Sequence, residues 1–206
     1  MTLYYREMRA AVCIALFAFL LHAQTPQQLF RGAVEAQQRG DYNTAIREYR
    51  HLLKIHPNSP DVLANLGAAL VHEKQFDEGV ASDRAALNLA PGNAAIQMNL
   101  ALAYYKKRDF RNAAQAFAAL WKSKPGDPRL ATLLGDCDVR LGHAPNAVML
   151  LKPMVAANPG NLDLEYALGN ALIVSGKSRQ GAGMIDQVAR RRKNADAYLL
   201  AGSAWL

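Results

Sequence analysis

Residues 59–93 read SPDVLANLGAALVHEKQFDEGVASDRAALNLAPGN, and this stretch decides the fold. Ser59 suits a helix N-cap, and Pro60 suits the first helical position, where its missing N–H costs nothing. Leu63, Leu66, Ala69 and Leu70 then form a stripe at helical spacing. The polar run His72-Glu73-Lys74-Gln75 ends this first helix. A second helix is expected from about Phe76 to Leu89, with Val80, Ala86 and Leu87 facing inward. Pro91-Gly92 stops it, because proline cannot continue the hydrogen-bond ladder. Gly67 lets the second helix approach closely, and Gly79 receives it. One pair of ~14-residue helices cannot bury both apolar faces, so such a unit needs neighbours.

The neighbours are present. Pro57, Pro91, Pro125 and Pro159 recur at a step of 34 residues. Thr25-Pro26, Ser59-Pro60 and Asp127-Pro128 keep the same step, with Asn93-Ala94 and Asn161-Leu162 in the remaining slots. So do Tyr42, Phe76 and Phe110, and the series Leu66, Leu100, Leu134 and Leu168, flanked by Gly67, Ala101, Gly135 and Gly169. On the second helices Ala45, Gly79, Ala113, Ala147 and Gly181 supply the small residue. A fixed period of this length marks a repeat architecture.

The pattern Leu66-Gly67…Leu70…Phe76…Gly79…Leu87…Pro91 closely resembles the tetratricopeptide repeat, as does Leu100-Ala101…Tyr104…Phe110…Ala113…Phe117…Leu120…Pro125. The resemblance implies an all-α fold, a right-handed α-solenoid of stacked antiparallel helix pairs. About five units are expected, at residues 26–59, 60–93, 94–127, 128–161 and 162–194, with a partial sixth at 195–206. Some positions depart from the pattern. Gly32-Ala33 replaces the Leu-Gly pair, Asp83 stands where an aromatic is usual, and Lys193 replaces the terminating proline. Pro153 should kink the helix expected from Pro145 to Asn158 and free the carbonyl of Met149. Gly181 and Gly183 should each weaken the last second helix by about 1 kcal/mol relative to alanine, making the C-terminal end the looser part.

The ends read differently. Arg6 and Arg9 precede the apolar run AAVCIALFAFLL (residues 10–21), and Leu21-His22-Ala23 offers a cleavage site, so residues 1–23 read as a secretory signal peptide. An uncleaved N-terminal anchor through residues 10–21 and a buried N-terminal helix are the alternatives. Cys13 has no lipidation context. Cleavage would leave Cys137 alone, unable to form an intramolecular disulfide; it reads as a small core residue, with no basic partner near it in sequence to make it a reactive thiol. At the other end, Tyr198 to Leu206 is apolar to its last residue and has no partner helix. Such a dense apolar end predicts a fragment of a longer protein; the alternatives are a cap that covers only the fifth unit, or an end that docks on a second copy or a partner.

Composition narrows the function. The chain has 206 residues, 51% hydrophobic, with 24 Lys+Arg against 17 Asp+Glu. That is too apolar for a disordered chain. No apolar run reaches the ~20 residues of a spanning helix, which excludes a multi-span membrane protein. Residues 171–178 (ALIVSGKS) match a loose phosphate-loop pattern, but Leu172, Ile173 and Val174 continue a helix and supply no strand before the glycine. His51, His56, His72 and His143 lack metal-ligand spacing, and Asp136 and Asp138 point to different helix faces. No catalytic, cofactor or metal site is therefore assigned, and no enzymatic activity. The basic clusters Lys106-Lys107-Arg108 with Arg111, and Arg190-Arg191-Arg192-Lys193, read as solvated helix ends complementing the helix dipole. Without aromatic residues interleaved they do not suggest nucleic acid. An anionic envelope polymer or a peripheral lipid surface remains as an alternative partner.

The resemblance also implies a concave face lined mainly by first helices. Projected onto it, the groove should present Phe30 and Val34, then Ala64, Asn65, Ala68 and Val71. Met98, Asn99, Leu102, Tyr105 and Lys106 come next, then Thr132, Asp136 and Arg140, and last Tyr166, Asn170 and Ile173. Asn65 and Asn99 lie one period apart and would clamp the backbone of an extended peptide. Met98, Leu102, Tyr105 and Tyr166 would hold its apolar side chains. Some family members grip a C-terminal carboxylate through a Lys/Asn/Arg set. Of the corresponding places Phe30, Val34, Ala95 and Asn99 do not carry the set and only Asn65 matches, so that mode is not expected. The reading is an exported scaffold that binds protein or peptide partners in its groove during envelope assembly. The rivals are an accessory domain of a larger, enzymatic protein and a binder of anionic polymer.

Overall fold

The computed structural model describes residues 25–192, so the expected signal segment and partial sixth unit lie outside the described residues. Ten helices follow one another: α1 (Pro26–Gln38), α2 (Tyr42–Ile55), α3 (Pro60–His72), α4 (Phe76–Leu89), α5 (Ala94–Lys106), α6 (Phe110–Ser123), α7 (Pro128–Arg140), α8 (Ala144–Ala157), α9 (Leu162–Val174) and α10 (Ser178–Arg192). Consecutive helices pack in pairs, and each pair packs on the next, so the described chain is an all-α solenoid. First helices also touch first helices, α1 with α3, α3 with α5 and α7 with α9. Among the described residues no helix is long and apolar enough to cross a membrane.

The 34-residue step sets the helix starts. Thr25, Asn93, Asp127 and Asn161 cap first helices through side-chain oxygens, and Thr25 closes a full capping box with Gln28. Ser59 occupies the equivalent place before α3, but its hydroxyl makes no capping bond. Asp41 and Asp109 cap second helices, whereas Gln75 and His143 do not. Within each pair the turn needs one residue with positive φ. Gly40, Gly142 and Gly176 fill this place at +81°, +81° and +86°, and Lys74 and Arg108 fill it at +62° and +66°. A side chain there crowds the following carbonyl. Lys74→Gly and Arg108→Gly are therefore each expected to stabilise the chain by about 0.5–1 kcal/mol in urea unfolding.

Packing follows the same register. Tyr49, Phe117, Leu151 and Ile185 hold the same place of the 34-residue step on second helices, and each is fully buried. They face the small residues of the partner helix: Leu151 meets Gly135 and Ile185 meets Gly169. Asp83 takes the same place in the second pair, faces Gly67 and is equally buried. Tyr49 satisfies its hydroxyl by donating to Gln37 Oε1 at 3.0 Å. Among the described residues neither carboxylate oxygen of Asp83 has a hydrogen-bond partner. Ser82 beside it is satisfied, its hydroxyl donating to the Leu63 carbonyl at 2.8 Å. The core changes composition here. One apolar cluster runs from Leu29 to Leu70, the next begins at Val80, and a small separate group joins Ala64, Ala86 and Ile96.

One projected groove residue needs correction: Ala64 is buried against Ala86 and Ile96 and does not face the groove. Leu87 is half-buried and packs against the same group, as expected. α8 continues from Ala144 to Ala157 with Pro153 inside it. Pro153 and Met149 are both exposed, so water can take the bond that the Met149 carbonyl loses. Gly181 is not a weakness of α10. A Cβ there would overlap the carbonyl oxygen of Gly169 and lie 2.9 Å from the Ile173 nitrogen, so the close approach of α9 and α10 requires a glycine. The local defects instead gather in the second pair, where Ser59, Gln75, Lys74 and Asp83 all depart from the repeat's own rules.

Candidate functional site

Three successive first helices build one cavity. Tyr105 on α5, Thr132 and Asp136 on α7, and Tyr166 and Asn170 on α9 line a space of about 190 Å³. No second helix contributes to it, which is the arrangement expected of a groove floored by first helices. An adjoining cavity of about 400 Å³ takes in Leu102, Arg129 and Thr132, again from α5 and α7, and reaches Asp163 on α9.

Asp136 organises the smaller cavity. Its Oδ2 accepts the Tyr105 hydroxyl at 2.5 Å and Arg140 Nε at 2.6 Å. The second bond is an i,i+4 ion pair along α7. The Arg140 guanidinium also lies over the Phe110 ring, 5.0 Å from its centre, and Tyr105 meets Phe110 edge-on. Burial, helped by the Asp136 carboxylate, pushes the Tyr105 hydroxyl up to about 12, so it keeps its proton and remains the donor. The Asp136 hydrogen bond favours the charged form of Arg140. Thr132 Oγ1 donates to the Pro128 carbonyl at 2.9 Å. Tyr105, Asp136 and Arg140 thus form one charge-neutral network between α5 and α7.

Not every projected groove residue joins it. Asn65, Met98 and Asn99 are half-buried and line neither cavity. Met98 and Leu102 pack against the core cluster around Phe117. Tyr166 and Ile173 pack against Ile185 and Ala189, though Tyr166 also reaches the cavity. Lys106 is exposed at the end of α5 and Arg140 stands beside the cavity. The projection by helix face therefore brings together Tyr105, Thr132, Asp136, Tyr166 and Asn170. The contact it missed is Tyr105 with Asp136. The signal was available: residue 136 lies three short of one full period after 105, the offset of facing turns on adjacent first helices.

Among the described residues no group of three or more His, Cys, Asp or Glu side chains is placed to hold a metal. Cys137 is fully buried, and burial pushes its thiol up to about 12, far from a reactive thiolate. Residues 171–174 finish α9, so the glycine of the phosphate-loop look-alike sits in a turn between two helices, as expected. The described residues of the basic helix ends are exposed, as expected, and some of them form surface ion pairs. Lys107 pairs with Asp77 at 2.5 Å, and Arg191 pairs with Glu165 at 2.8 Å. A larger hollow of about 640 Å³ lies on the other side, along α2, and opens wide to solvent. Two of the guanidinium groups there, Arg47 and Arg50, are held by Glu48 and Glu78.

Comparison with known proteins agrees with this architecture. A family model described as TPR repeat matches residues 37–72, and one described as tetratricopeptide repeat matches residues 84–137. Among curated proteins there is no match to the sequence. Solved structures do resemble it. A tetratricopeptide repeat protein from Parabacteroides merdae is 16% identical over 87% of this chain and 75% of its own, with a TM-score of 0.75. MamA 41-end from Desulfovibrio magneticus RS-1 is 18% identical over 84% of this chain and 98% of its own, with a TM-score of 0.74. YrrB, described as a TPR protein with an unusual peptide-binding site, is 15% identical over 92% of this chain and 96% of its own, at 0.72. At such identities the likeness concerns the fold alone. The period, the paired helices and the two family matches together place the chain among the tetratricopeptide repeat proteins.

Proposed function

We propose that this chain is an exported, non-catalytic scaffold that binds protein or peptide partners on the face formed by its first helices, acting in envelope assembly. The observation that supports the reading is the cavity shared by α5, α7 and α9. Aromatic rings from Tyr105 and Tyr166 and a side-chain amide from Asn170 meet there, the mixture that anchors partner side chains. Binding of peptide is named for the similar protein YrrB, which lends the same reading to this chain. Export rests on the sequence of residues 1–23 alone. Capture of anionic polymer is the weaker alternative, because Lys107 and Arg191 are already committed to Asp77 and Glu165.

Asn99→Ala combined with Tyr166→Ala tests the reading. The double variant is expected to keep its helical content and to lose most partners that the wild type captures from an envelope extract, at least about tenfold by quantitative mass spectrometry. Recovery of the same partners by both proteins would show that the binding surface lies elsewhere.

A further inference from the structure

Hydrogen-bond supply and demand in the small cavity point to a particular occupant, given the groove reading above. Tyr105 spends its only proton on Asp136, and Thr132 spends its own on the Pro128 carbonyl. Both oxygens can then only accept, and that of Tyr105 already meets the Arg140 guanidinium. Asp136 receives both of its bonds on Oδ2, so Oδ1 is a further acceptor without a partner. The remaining polar side chains, Tyr166 and Asn170, make no side-chain hydrogen bond among the described residues. Two open acceptors, Thr132 Oγ1 and Asp136 Oδ1, thus stand beside one hydroxyl and one amide, each able to donate or accept. An occupant must bring donors, and it profits from one acceptor of its own.

Charge selects among donors. Asp136 is neutralised by Arg140 at 2.6 Å. A lysine or arginine side chain would lose hydration there without a free counter-charge. A carboxylate would face the acceptors of Thr132 and Asp136. An apolar side chain would bury those acceptors unpaired. A carboxamide has two N–H donors and one carbonyl acceptor and carries no charge. The cavity of about 190 Å³ has room for one such side chain beside Tyr105 and Tyr166. We propose that the Tyr105–Asp136–Tyr166–Asn170 cavity is a specificity subsite for an asparagine or glutamine side chain of an extended peptide.

Selection from a phage-displayed library of random linear peptides on the immobilised full chain tests this. The expected result is a set of peptides with Asn or Gln fixed at one position. Changing that residue to Glu, Lys or Leu should weaken binding to the wild type about tenfold, because each leaves buried polar groups unpaired. The preference should shrink to within about twofold on Asn170→Ala and on Tyr166→Phe, which keeps the ring and removes only the hydroxyl. Matched melting curves keep lost binding distinct from lost fold. Peptides selected with a charged or apolar residue at the Asn170-sensitive position would overturn the subsite and leave the groove reading standing. No enriched peptide, or peptides indifferent to both variants, would overturn the groove reading and the subsite with it.

Discussion

Asp83→Leu is expected to raise the melting temperature at pH 8 by roughly 5–10 °C and to flatten the dependence of stability on pH. The physical reason is a carboxyl with no exposure and, among the described residues, no hydrogen-bond partner, at the step where the other pairs bury Tyr49, Phe117, Leu151 and Ile185. Burial pushes its titration up to about 7. In the unfolded chain an aspartate titrates near 3.9. Between these two values the folded chain holds a proton that the unfolded chain has released. Stability is therefore full below about pH 4, falls as pH rises toward about 7, and stays low above it. The loss amounts to a few kcal/mol, at ~1.4 kcal/mol for each pH unit of separation. Leucine is the apt replacement because Gly67 faces Asp83 as Gly135 faces Leu151 in the fourth pair. Asp83→Asn keeps the shape and removes the charge, so it should match the wild type at pH 4 and exceed it at pH 8. Thermal melts across pH 4 to 8 decide the matter, and hydrogen exchange should locate the gain in α3 and α4. Equal slopes for wild type and Asp83→Asn would show that the carboxylate reaches water or a partner in the folded chain.

Gly181→Ala and Gly183→Ala are expected to act in opposite directions although they lie two residues apart on one helix. A Cβ at 181 would run into the Gly169 carbonyl and the backbone of Ile173, and backbone cannot step aside as a side-chain end can. α9 and α10 must separate, uncovering Ile185 and Ala189, at a cost of about 1–3 kcal/mol or more. At 183 nothing lies within 4 Å of the added carbon, so alanine should stabilise α10 by about 0.5–1 kcal/mol through its helix propensity. Urea unfolding with hydrogen exchange on α9 and α10 measures both. A stabilising Gly181→Ala would mean that the last pair has slack to open without losing its packing.

Most of the architecture was legible because it is periodic. Recurring prolines, caps and small residues mark where each helix starts, stops and touches its partner, and α4 falls on the expected Phe76–Leu89. Asp83 was visible as a departure, since every other copy holds an apolar or aromatic residue at that step. Its lack of any partner was not visible, because partners arrive from other helices. The same holds for the groove. Helix-face projection found Tyr105, Asp136, Tyr166 and Asn170, yet it also placed Ala64 on the surface.

The amino-acid order alone therefore determined the number of described units, the helix pairing and the family, because those depend on contacts repeated at a constant distance along the chain. Only the three-dimensional packing decided which glycine is required and which is merely tolerated, that α8 continues through Pro153, and that Asp136 joins Tyr105 to Arg140. Those outcomes turn on separations of an ångström or less between side chains of different helices. A one-dimensional pattern fixes which faces meet, but not how closely.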